Sequence, residues 1–198
     1  MSIGDVLAVV ELEEGVPSLH TLELIAMART IAEAKGGKVV AVCLGSSLGD
    51  EVGAALVASG AVNVHLISHD LFEPYQADAW LPDLAALSTE VDPAAILVPH
   101  TVIGADLAPR LAFRLGTSVA TGCVEADVTG DNIWFTRACY GGIAREQVSF
   151  RTAPAVVTVK SKSFDPLPRD EGRAGQLIHR DAVVPLEQVR TRVIESDR

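Results

Sequence analysis

Basic residues are the scarce charges in this sequence: 16 lysines and arginines stand against 26 aspartates and glutamates, a net charge of −10 over 198 residues. A nucleic-acid binder needs a basic face to neutralise phosphates, so this balance argues against one. It argues equally against docking on an anionic membrane. Long apolar runs are missing, and the longest is far too short to cross a bilayer. The opening MSIGDVLAVV has no basic leader and runs straight into a strand pattern, so no signal peptide is expected. The three cysteines, Cys43, Cys123 and Cys139, are widely separated with no CxxC pair. Such sparse use suits a reducing, cytoplasmic compartment. The five histidines show no metal-ligand spacing. Aromatics are only 5% of the chain, so the core is expected to be built from small aliphatic side chains, Cys43 among them.

Chemical motifs are also thin. There is no GxxxxGK[ST], no GxGxxG after a strand and no GxSxG. GSSLG, with Gly45, Ser46 and Gly49, follows a strand and precedes a helix, so its amides could face an anion; the signal is weak, and an ordinary loop is the plainer reading. Glu11, Glu13 and Glu14 stand at the end of the first strand, where open α/β sheets place ligands. Glu11 or Glu13 with His100 would be the acid–base pair of a hydrolase, and a solvated loop is the plainer reading.

What is present is alternation. Apolar runs at Val6–Leu12, Lys38–Gly45, Val62–Ser68, Ala94–His100 and Thr117–Val128 are separated by helical patterns. This predicts an open, mainly parallel, Rossmann-like α/β sheet with helices on both faces. Ser18 is a fair helix cap, Gly36 and Gly37 stop that helix, and Ser47 or Asp50 is expected to cap the next. In GADLAPRLAFRLG (Gly104–Gly116), Asp106 is the expected cap, proline falls in the first turn and Gly116 ends the helix. Leu107, Leu111, Phe113 and Leu115 are expected to cover the sheet, with Arg110 and Arg114 exposed on one face. Beyond Gly130 the helical period disappears. NIWFTRAC and AREQVSF flank a tight YGG bend, and APAVVTVKSKSF reads as a further strand, all added antiparallel. Residues 165–185 are rich in proline, glycine and charge and are expected to be an extended linker. Val189–Ser196 (VRTRVIES) alternates like a terminal strand.

PHTVIGADLAPRLAFRLGTSVATGCVEAD resembles a segment of electron transfer flavoprotein alpha subunits, the FixB type. VLAVVELEEGVPSLHTLELIAMARTIAE resembles their opening strand and helix. FTRACYGGIAREQVSF resembles their Phe-x-Arg-x-x-Tyr-Gly-Gly hairpin, with Ala138 where proline is frequent and Ile143 where Asn or Lys is frequent. VRTRVIES resembles their last strand before a second domain. That second domain holds the flavin, and none of its motifs occurs here. The resemblance therefore implies an α/β domain over 1–164. It implies a linker and terminal strand over 165–198, leading to an FAD-binding domain this chain does not contain. It implies a scaffold without catalytic residues of its own. Its partners would be the beta subunit, which would itself hold AMP or a second FAD, and, through the complex, a flavin dehydrogenase and a downstream acceptor. Arg110, Arg114, Arg137, Tyr140, Gly141 and Gly142 become the candidate partner contacts. A stand-alone AMP- or ATP-binding module like the universal stress proteins is the alternative.

Overall fold

The computed structural model describes residues 4–184, 187, 189–191, 193 and 194. A nine-stranded sheet has the order β11-β5-β4-β1-β6-β10-β7-β8-β9. The strands are β1 (Gly4–Val10), β4 (Gly36–Gly45), β5 (Asn63–Ser68), β6 (Ala95–Pro99), β7 (Val119–Thr129), β8 (Asn132–Cys139), β9 (Ala144–Val148), β10 (Ala155–Val159) and β11 (Gln176–Asp181). Two short pieces, β2 (Leu12–Glu13) and β3 (Val16–Pro17), form a separate hairpin. Its Glu14–Gly15 turn has φ of 51° and 80°, the left-handed pair that a two-residue hairpin turn needs.

Helices α1 (Leu19–Lys35) and α2 (Asp50–Ala58) share one core with Val6, Ala8 and Val10. Helices α3 (Ala77–Val91) and α4 (Val102–Arg114) share the other with Leu7 and Val9. One strand thus feeds both layers by alternation, and β1 is buried throughout. Cys43 lies wholly buried in β4, as expected.

Ser18 caps α1, its hydroxyl accepting the Thr21 N–H at 3.1 Å, and Gly36 ends the helix in the left-handed region. Other expectations needed correction. Neither Ser47 nor Asp50 caps α2; Gly49 holds the cap position without a side-chain bond. α4 begins earlier than expected. Thr101 is its cap, accepting the Gly104 N–H at 3.0 Å, while Asp106 lies inside and accepts from Arg110 at 2.8 Å. Pro109 is consequently interior, not in the first turn; it is exposed, where water can serve the carbonyl its ring leaves free. Phe113 is 88% exposed and does not cover the sheet. The buried stripe is Gly104, Leu107, Ala108, Leu111 and Ala112, at i, i+3, i+4, i+7 and i+8, and Phe113 falls outside it.

Two strands depart from expectation. β10 is not antiparallel: it inserts between β6 and β7, parallel to both, and only β8 and β9 are antiparallel additions. Within the expected linker, Gln176–Asp181 forms β11, parallel to β5 at the sheet edge. Of the expected strand Val189–Ser196, residues 192, 195 and 196 lie outside the described residues, and the described ones are not in a strand.

The end of β11 and the segment after it run along α3. Arg180 makes a two-pronged ion pair with Glu90, and the Val183 N–H donates to Asp83 Oδ1 at 2.9 Å. Asp83 is 3% exposed and its Oδ2 has no partner among the described residues. Burial raises its carboxyl above the usual range, against the Val183 N–H and nearby His69 and Arg180, which lower it. A raised native value means that charging Asp83 opposes folding at neutral pH, and that the opposition fades as pH falls below its titration. Asp83→Asn is therefore expected to be more stable than the parent at pH 7. The gain should vanish toward pH 4, as chemical denaturation at a series of pH values would show.

Candidate functional site at the carboxyl edge of the sheet

The strand order reverses at β1, whose neighbours are β4 and β6. Open α/β sheets leave a crevice beyond the strand ends at such a point. A cleft of about 570 Å³ lies there. Leu12, Leu44, Leu48, Phe72, Trp80 and Ile103 give it an apolar lining. Glu11, Glu14, Glu51 and Glu73 are its charged lining residues, with no lysine or arginine among them.

Glu11 is tied in from two sides. Its N–H donates to Thr21 Oγ1, and the Thr21 hydroxyl donates back to its carbonyl, both at 2.9 Å. Its Oε1 accepts the Thr101 hydroxyl at 2.7 Å, and Thr101 also caps α4. Burial raises the Glu11 carboxyl; the Thr101 hydrogen bond and His20 pull it back in part. In the cleft lining the Tyr75 hydroxyl donates to Asp106 at 2.9 Å; burial first, then that bond, raises the phenol. The hydrolase pair is not assembled: Glu11 is engaged with Thr101, His100 Nδ1 lies 2.8 Å from Thr158, and Glu13 is exposed on the hairpin.

GSSLG follows β4 as expected, and Gly45 and Gly49 line the cleft. The Ser46 hydroxyl donates to Glu73 at 2.8 Å. The Glu51 carboxylate lies over Gly49, its oxygens 2.2 and 2.3 Å from where a Cβ would stand. An acid in the first turn of α2 thus already balances its positive end and repels a phosphate there.

The expected partner residues lie in two places, all exposed except half-buried Arg137. On α4, Arg110 and Arg114 border a shallow hollow of about 490 Å³ with Leu81, Pro109 and Phe113. At the tip of the β8–β9 hairpin, Tyr140 and Ile143 are 86% and 92% exposed, and Tyr140, Gly141 and Gly142 all have positive φ. Arg137 braces the hairpin through an ion pair with Glu146 at 2.6 Å.

A model of the electron transfer flavoprotein domain matches residues 6–184. The chain belongs to this family. It is 29% identical to the electron transfer flavoprotein alpha subunit of Bacillus subtilis (strain 168), over 93% of this chain and 55% of the relative. It is 28% identical to the FixB protein of Azotobacter vinelandii, over 93% and 52%. Over a shorter stretch it is 33% identical to the acryloyl-CoA reductase electron transfer subunit beta of Anaerotignum propionicum, covering 64% of this chain and 34% of that one. The chain spans about half the length of the curated alpha subunits it matches.

The flavoprotein family implies FAD, whose pyrophosphate needs amides and cations. The residues of the cleft do not fit it: four carboxylates line the space, and that of Glu51 lies against Gly49 at the start of α2. Among the described residues no helix is long and apolar enough to cross a membrane, and none of the His, Cys, Asp and Glu groups could hold a metal ion. Thr101, Tyr75 and Thr158 were not singled out from the sequence. Only Thr101 left a signal there, as a hydroxyl residue three positions before Gly104 at a strand-to-helix junction.

Proposed function

We propose that this chain is the N-terminal domain of an electron transfer flavoprotein alpha subunit and acts as a scaffold rather than a catalyst. It packs on the beta subunit and supports a flavin domain in electron transfer from a dehydrogenase to an acceptor. FAD is held by that other domain, and AMP or a second FAD belongs to the beta subunit. The observation that carries this reading is the family match through residues 6–184 of a chain half as long as its alpha-subunit relatives. The acidic cleft supports it, since it disfavours both FAD and the nucleotide of a universal-stress-type module. The exposed Phe113, Tyr140 and Ile143 support it as contact surface, large apolar groups of the kind that interfaces cover. A cytoplasmic setting agrees with the free thiols.

The test is direct. The purified chain, offered FAD and desalted, is expected to show no flavin absorbance, and to co-elute with the beta subunit in gel filtration. One FAD retained per chain would overturn the placement of the flavin. Failure to bind the beta subunit would overturn the scaffold role.

A further inference from the structure

Helix α4 carries a second apolar line, on the side away from the sheet. Val102, Ala105, Pro109 and Phe113 fall at i, i+3, i+7 and i+11, one stripe along the helix. All four are exposed, Val102 by 90%. The buried stripe already makes the contact with the sheet, so this second one is left open to solvent. Pro109 has no N–H, so the Ala105 carbonyl in the same line also lacks its helical partner. At the C-terminal half of α4 the stripe borders the hollow of about 490 Å³ that Leu81 of α3 closes from the other side. One flank of the stripe is charged. Asp106 and Arg110 stand there, paired at 2.8 Å with both side chains exposed, and Arg114 follows, in no ion pair among the described residues.

The order of these groups identifies what complements them. From Val102 through Asp106 and Arg110 to Phe113, the face reads apolar, negative, positive, apolar. Laid antiparallel on a copy of itself, the helix sets Val102 against Phe113 and Asp106 against Arg110, and each contact recurs in reverse. The first pair is centred between residues 107 and 108 and the second on residue 108, so one two-fold axis across the helices serves both. That axis keeps the charged flanks of the two copies on the same side. Two aspartates and two arginines then alternate beside it, and Val102 of one copy meets the hollow beside Phe113 of the other. A uniformly acidic partner would instead set a like charge against Asp106, which costs affinity.

We propose that the outer face of α4 is the contact of a symmetric, antiparallel dimer of this chain. It goes beyond the scaffold reading and does not rest on it: the dimer needs only this chain, and the hairpin with Tyr140 and Ile143 stays free for the beta subunit. A helix of 13 residues is about 20 Å long, so the contact belongs to the small, weak class, with a dissociation constant of about 10–100 µM.

The experiment is analytical ultracentrifugation of the full 198-residue chain over a series of concentrations. A reversible monomer–dimer equilibrium is expected. By symmetry Phe113→Ala removes two anchors at once and should weaken the dimer about a hundredfold. Ile143→Ala, an equally exposed apolar residue on the β8–β9 hairpin, should leave it unchanged. Arg110→Asp gathers four carboxylates beside the axis and should weaken it by at least about tenfold. Arg114→Asp, outside the pairing, should not weaken it. All four positions are exposed, so each variant keeps its fold. A chain that stays monomeric at millimolar concentration would overturn the dimer. Equal losses in Phe113→Ala and Ile143→Ala, or in Arg110→Asp and Arg114→Asp, would overturn the assignment of the contact to α4.

Discussion

Replacing Gly104 with alanine is expected to destabilise the chain by about 3 kcal/mol, the upper end for overpacking. A Cβ at this position would stand 1.8 Å from the Pro99 carbonyl oxygen and 3.1 Å from Val98 Cγ1. The first obstacle is backbone at the end of β6, so no rotamer change relieves it. Either α4 lifts from the sheet or β6 shifts, and both disturb Thr101, which joins Glu11 to the start of α4. For a chain of this size the midpoint of thermal unfolding should fall by roughly 6–12 °C. Gly116→Ala is the matched control. Its φ is +68° but nothing lies within 4 Å of an added Cβ, so only backbone strain of about 1 kcal/mol is expected. Equal losses at the two sites would show that the close approach of α4 to β6 is not what demands glycine at 104.

The second large effect is expected at Phe135. It is wholly buried on β8 and meets Phe150 edge to face, ring centres 6.1 Å apart. In a chain with few aromatics, this pair joins Ile133 and Val148 in anchoring the antiparallel strands to the core shared with α1. Phe135→Ala should cost about 3–5 kcal/mol, because β8 is held in register on both sides and cannot collapse into the space. The loss should also loosen the hairpin that presents Tyr140 and Ile143. Under the scaffold reading, affinity for the beta subunit then falls even at temperatures where the variant remains folded. Denaturation midpoints and a pull-down at low temperature separate the two effects. Unchanged binding by the folded variant would remove the hairpin from the interface.

Much of the site is built from residues that are unremarkable in the linear text. Thr158 stands within AVVTV, and the run shows only a buried strand; that its hydroxyl joins Gly122 to His100 depends on β10 lying beside β7 and β6. The acidity of the cleft was half legible. Glu11 and Glu14 lie together in the chain, whereas Glu51 and Glu73 are brought in by α2 and by the turn after β5.

Local rules determined the rest. Alternating apolar runs and helical stripes encode an α/β sheet because a buried parallel strand must be apolar on both faces. Ser18, Gly36 and Gly116 mark helix ends because their effects act within a few residues. The family resemblance was also written in short motifs, and the match over residues 6–184 agrees with it. Strand neighbourhood was not. An apolar run such as AVVTV satisfies either hydrogen-bond direction, so only the space left between β6 and β7 placed β10 there and made it parallel. β11 likewise reads as a polar linker until the free edge of β5 pairs with it. Phe113 looked like core by composition, and its place on the helix, off the buried stripe, put it in solvent.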